Sequence, residues 1–305
     1  MSPTHEREAL FWGLVGVTLF AATLPMTRLA VGPAEAPQLS PWFVTFGRAA
    51  AAGLLSVAYL RWQHVRGRLN VPVRAQWPLL GTTAFGVIVG FPLFLALALR
   101  TVPSTHGAVV TALLPLSTAV LGALWYRQRP SAGFWACALA GSGLVLGFMA
   151  WRAGGLYLGA ANLYLLVAMT TGAFGYIGGA RLTPSLGAEQ AICWVLACSL
   201  PLTLPVAWWF APAAPGAVSA MAWTGFAYVA LFSMWIGFFA WYRALALGAV
   251  RVSQIQLVQP FLSLLFAVPL VGERLDATTL VFALAVIATV YLGKKMPIQP
   301  ARNPA

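Results

Sequence analysis

A succession of apolar runs, each close to twenty residues long and separated by short polar gaps, limits what this chain can fold into. The first, Leu10–Val31, would reach about 33 Å as a helix, enough to cross the hydrocarbon core of a bilayer. Others follow over Trp42–Leu60, Pro78–Leu99, Thr105–Leu124, Gly133–Ala150, Leu158–Gly178, Ala191–Phe210, Ala220–Tyr242, Val252–Val271 and Thr278–Gly293. Lipid offers the backbone no hydrogen-bond partner, so runs of this length are expected to be helices that satisfy their own amides. The predicted fold class is an all-α membrane protein with ten transmembrane helices, which leaves no room for a soluble domain. The segment before Leu10 carries Glu6 and Glu8 beside Arg7 rather than a basic cluster, and the first run is too long for a cleaved leader. The first helix is therefore expected to be retained.

Hydrophobic residues make up 60% of the chain and charged ones 8%, against roughly 25% charged in a soluble domain. The bilayer is the expected partner. A formal charge of +12 suits nucleic acid only where basic and aromatic residues share a patch, and here the basic residues sit in the gaps between apolar runs. No nucleic-acid partner is expected. Cys137, Cys193 and Cys198 lie inside apolar runs without ligand spacing, which reads as small core residues rather than a metal or disulfide site. No GxSxG, Walker A, HExxH or CxxC occurs, so the chain is not expected to be an enzyme or to carry a cofactor.

Basic residues are retained on the cytoplasmic side of a membrane. With the N-terminus inside, only Arg100, Arg152 and Arg274 of the 18 Lys and Arg fall outside, Arg28 and Arg48 fall within spans, and the other thirteen are cytoplasmic. Both termini are then cytoplasmic, as expected for a protein of a bacterial inner membrane.

An internal repeat organises the spans. His106–Ser131 (HGAVVTALLPLSTAVLGALWYRQRPS) and Arg251–Asp276 (RVSQIQLVQPFLSLLFAVPLVGERLD) share a plan in which Pro115 aligns with Pro260, Gln128 with Glu273 and Arg129 with Arg274. This divides the chain into five-helix repeats over residues 1–152 and 153–305. Because five is odd, the second must insert upside down relative to the first, with a substrate site expected between them.

The ten spans and the stretch QPFLSLLFAVPLVGERLD, with Pro260, Gly272, Glu273 and Arg274, resemble the EamA-type permeases of the drug/metabolite transporter superfamily. The first copy departs from that pattern, since Gln128 stands where the acidic residue is usual. The aromatic-rich composition resembles the bacterial branch that exports aromatic amino acids. The resemblance implies export of small metabolites by a monomer. A multidrug or nucleotide-sugar exporter is the alternative within transport, and a membrane scaffold the alternative outside it.

Polar side chains stranded in apolar helices point to the site. Gln256, Gln259 and Ser263 share one face of the ninth span, where Pro260 is expected to free a carbonyl. These amides either face a cavity or bridge neighbouring helices. Phe232, Trp235, Phe239 and Tyr242 form a stripe on the eighth span, as packing or as a ligand platform, with Trp235 nearest its middle. Thr27, Thr111, Thr171 and Phe85 complete the candidate substrate-binding set. His106 is read as a solvated helix end. Arg28 and Arg48 are read as snorkelling outward or meeting carbonyls, with Arg28 alternatively holding a substrate carboxylate. No Asp or Glu lies within a span, which disfavours a carboxylate proton relay and favours gradient-driven flux.

Overall fold

The computed structural model describes residues 3–125, 129–153, 159–244, 258–296 and 298–299. The chain runs through α1 (Pro3–Ala21), α2 (Thr23–Val31), α3 (Pro41–Val65), α4 (Trp77–Ala84), a π-helical segment (Phe85–Gly90), α5 (Phe91–Ala98), α6 (Ser104–Thr111), α7 (Leu114–Trp125) and α8 (Ala132–Ala153). It continues through α9 (Ala160–Leu186), α10 (Ala188–Trp209), α11 (Ala220–Tyr228), a second π-helical segment (Val229–Ile236), α12 (237–244), α13 (Gln259–Val271) and α14 (Ala277–Lys295). A two-residue antiparallel bridge, β1 (Arg129–Pro130) with β2 (Ile298–Gln299), is the one strand pairing among the described residues. Six helical stretches are long and apolar enough to cross a membrane, and Ala132–Phe148, Gln259–Val271 and Ala277–Gly293 are shorter apolar helices. Apart from that bridge, the regular structure of the described residues is helical, and the chain is of membrane type.

Prolines explain two breaks. Pro25 has no N–H to give the Ala21 carbonyl, and the helix pauses at Ala22 between α1 and α2. Pro115 likewise leaves the Thr111 carbonyl without its helical donor, and the run expected over Thr105–Leu124 divides at Ala112–Leu113. In the ninth run the described helix spans Gln259–Val271, with Pro260 in its first turn, where a missing N–H costs nothing. The carbonyl it was expected to free, that of Gln256, lies outside the described residues, as does the rest of Gln256.

Hydrogen bonds between loops identify the two ends of the bundle. At one, the Ser219 N–H donates to Gln38 and the Ser104 and Thr105 amides donate to Glu273. At the other, the Asn70 N–H donates to Gln190 Oε1, Gln190 Nε2 donates to the Arg68 carbonyl, and Arg243 pairs with Glu8. The α1–α2 rod runs from the Asn70 end toward the Glu273 end. α9 runs the opposite way, from Asn162 beside His106 to Leu186 beside Asn70.

Apolar packing falls into two main clusters. Leu24, Leu95, Val109, Phe134, Phe148, Leu165 and Val286 centre one, and Val17, Ile88, Leu182, Ile192, Met234 and Trp241 the other.

Candidate functional site

The seam between these clusters holds a small, partly open cavity. Phe20, Thr23 and Leu24 border it from the α1–α2 break, Arg48 from α3, and Val87 and Phe91 from the first π-helical segment and α5. Gly172 and Tyr176 face it from α9, Ser233 and Phe238 from the second π-helical segment and α12, and Gln259 from α13. An adjoining small space shares Leu24, Phe91 and Gln259 with it and adds Thr111, Leu114, Pro260 and Ser263.

Local structure explains why these groups meet. At the α1–α2 break, the Ala21 carbonyl orphaned by Pro25 accepts from Ser263 Oγ at 2.9 Å, and the Leu19 carbonyl accepts from the Tyr228 hydroxyl at 3.1 Å. The Thr23 and Ser233 hydroxyls lie 2.8 Å apart. The late helices thus complete the hydrogen bonding of an interrupted early one, which fixes both walls of the cavity.

The two π-helical segments are spaced like the two prolines Pro115 and Pro260. Pro260 follows Pro115 by 145 residues, and moving Phe85–Gly90 by that interval gives residues 230–235, inside Val229–Ile236. Each segment contributes to the cavity, through Val87 and Ser233. π-Helical turns are uncommon and concentrate at functional sites.

Of the residues singled out in the sequence, Gln259, Ser263 and Thr111 are brought to the cavity pair. The Ser263 and Thr111 hydroxyls are occupied, by the Ala21 and Gly107 carbonyls respectively. Thr171 is buried beside the cavity residue Gly172, bonded to the Val167 carbonyl and packed on Gly90. Thr27 is buried with its hydroxyl unpartnered, away from the cavity lining. Phe85 is 55% exposed on the outside of the bundle and does not line the site. Trp235 also turns away, donating to Ser56 at 3.1 Å and packing on Phe239. Its helix reaches the cavity through Ser233 and Phe238 instead.

Of three charged or titratable residues, Arg28 meets a carbonyl as expected, while His106 and Arg48 depart from expectation. His106 is 5% exposed rather than solvated, with Nε2 2.9 Å from Asn162 Oδ1 and its ring over Phe148. Arg28 donates to the Leu99 carbonyl at the end of α5, within a second, more open space lined by Glu273, Gln38 and Ser219. Arg48 neither snorkels nor meets a carbonyl: it is 4% exposed, borders the central cavity, and its Nε has no partner. The signal for it in the sequence was its place as one of two cations within the apolar runs, with no acid in those runs.

Glu273, the acidic residue of the repeated motif, has a definite role at the far end of the bundle. One carboxylate oxygen accepts from the Ser104 N–H at 2.6 Å and from its hydroxyl at 2.9 Å, and the other accepts from the Thr105 N–H at 2.8 Å. A carboxylate on the first amides of α6 both satisfies them and matches the helix dipole.

The pattern of the EamA-like transporter family matches residues 7–150 and again residues 159–293. An uncharacterized transporter of Bacillus subtilis (strain 168), YdeK, is 42% identical over 288 residues, covering 93% of this chain and 96% of that one. A solved structure known only as the crystal structure of a protein superposes with a TM-score of 0.62 at 17% identity, over 93% of this chain and 95% of its own, and speaks for the fold alone. With the family pattern matched twice along almost the whole length and a relative this similar, the chain belongs to the EamA-like transporter family.

Proposed function

We propose that the protein exports small metabolites, foremost amino acids with apolar or aromatic side chains, across a bacterial inner membrane by alternating access around the central cavity. The observation that carries this reading is the cavity's makeup. It is built at the seam by helices from both ends of the chain, and sets five polar side chains among three phenyl rings and two aliphatic groups. A small amphiphile matches such a lining, because its polar groups meet hydrogen-bonding partners while its apolar body is held by burial.

Residues 1–152 and 153–305 act in this reading as two inverted repeats of five membrane-crossing helices in a monomer, with both termini cytoplasmic. The double family match, the opposite courses of the α1–α2 rod and α9, and the shared spacing of the π-helical segments support it. The bias of Lys and Arg supports the orientation. Transport is driven by the solute's own gradient, since no carboxylate lies beyond the first turn of a span to relay protons across the bilayer core.

Counterflow in proteoliposomes tests the proposal. Labelled L-phenylalanine should accumulate in vesicles preloaded with the unlabelled compound, and do so undiminished when a protonophore collapses the pH gradient. Strict dependence on that gradient would contradict the coupling, and the absence of counterflow for the whole set of apolar and aromatic amino acids would contradict the substrate class.

A further inference from the structure

Arg48 is the eighth residue of α3 and lies roughly 10 Å along the helix from Pro41. It is buried, borders the cavity, and has no hydrogen-bond partner at Nε. No carboxylate stands near enough to compensate it: Glu6, Glu8, Glu35, Glu189, Glu273 and Asp276 are the only six in the chain, and all lie in terminal or loop segments or in the first turn of a helix. Arginine does not deprotonate in proteins. An unpaired guanidinium taken out of water is costly, and that cost is relieved when an anion enters beside it.

The surroundings narrow the kind of anion. A guanidinium presents a planar fork that a carboxylate meets with two parallel hydrogen bonds. A highly charged phosphate ester would call for several cations, and among the described residues Arg48 is the single cation on the cavity wall. The rest of the wall divides into Thr23, Tyr176, Ser233 and Gln259, which are neutral, and Phe20, Phe91 and Phe238, which suit a ring-sized apolar body.

We infer that Arg48 is an anion anchor: the cavity takes an organic monocarboxylate with an apolar body, its carboxylate on Arg48 and its body against Phe20, Phe91 and Phe238. This rests on the cavity being the transport site. For an amino acid, the hydroxyls of Thr23 and Ser233 and the Gln259 carbonyl oxygen are the acceptors available to the ammonium group. An organic cation lacking a carboxylate is repelled, so cationic dyes are poor ligands.

The test uses the purified full chain in detergent and three probes: 3-phenylpropionate, L-phenylalanine and 2-phenylethylamine. Both carboxylates should raise the melting temperature in a saturable way and the amine should not. Arg48→Gln should weaken the response to the carboxylates roughly ten- to a hundredfold, the range for losing a charge-assisted hydrogen bond. Arg48→Lys, which keeps the charge and loses the fork, should fall between. Arg48→Gln without ligand should melt no lower than the wild type, because an uncompensated charge has been removed. The anchor is overturned if neither carboxylate binds, if the amine alone binds, if Arg48→Gln responds like the wild type, or if it melts far lower and Arg48→Lys restores it, which marks a structural tie. Carboxylate binding without flux in proteoliposomes would sink the transport reading and leave the anchor standing. Flux of the amine without carboxylate binding would do the reverse.

Discussion

Gly86→Ala should lower the free energy of unfolding by about 1–3 kcal/mol, the usual cost of overpacking, and Gly86→Leu should leave little folded protein to purify. Gly86 opens onto α9, and a Cβ there would overlap the backbone of Gly175 and the Thr171 carbonyl. The fit is reciprocal, since a Cβ on Gly175 would lie 2.8 Å from the Val87 amide nitrogen. Backbone meets backbone at this crossing, so no side chain can move aside. Helix propensity alone argues the other way, favouring alanine over glycine by about 0.5–1 kcal/mol. The sign of the change therefore separates the two effects. Gly81→Ala on the preceding turn, where nothing lies within 4 Å, is the control and should be neutral or slightly stabilising. Melting curves of the two variants in one detergent make the comparison.

Glu273→Ala should open the other end of the bundle. The substitution leaves the buried Ser104 and Thr105 amides without their acceptor, at about 1–3 kcal/mol for each orphaned donor. Glu273→Gln keeps an acceptor and loses the charge, so its effect should be smaller. These bonds join the loop after α13 to the start of α6, so in the proposed alternating-access cycle they would hold that end closed. A loss of 1.4 kcal/mol shifts such an equilibrium about tenfold. Amide hydrogen exchange across residues 104–107 should accelerate in Glu273→Ala and less so in Glu273→Gln. Unchanged exchange together with an unchanged melting temperature would remove Glu273 from any role in closure.

The helical architecture was legible in the sequence because lipid leaves an apolar run no other fold, and the repeat was legible because Pro115 and Pro260 each precede a polar turn by thirteen residues. Side-chain directions were less so. The stripe Phe232, Trp235, Phe239 was read with the period of an α-helix, but Val229–Ile236 is π-helical, and its wider turns rotate Trp235 onto Ser56 while bringing Ser233 and Phe238, five residues apart, to the cavity. Phe85 opens the other π-helical segment and faces out of the bundle. Ser263 was singled out correctly as a polar group facing inward, but its partner is a carbonyl that Pro25 frees in a helix more than two hundred residues away. Arg48 escaped notice as a site residue because arginine near a membrane surface commonly snorkels, and only packing shows that α3 turns it inward. The close approach of α9 to α5, the first π-helical segment and α4 left a trace in the spacing of Gly172, Gly175 and Gly178, which lets neighbouring helices draw near.

The central claim, that this cavity opens alternately to the two faces of the membrane, is tested most directly at Ser233. A Ser233→Cys variant in which Cys137, Cys193 and Cys198 are replaced carries a single thiol on the cavity wall. In proteoliposomes it should react with a membrane-impermeant thiol reagent both when the reagent is added outside and when it is trapped inside, and L-phenylalanine should slow both reactions. Reaction from one face only, or from neither while counterflow persists, would contradict the account.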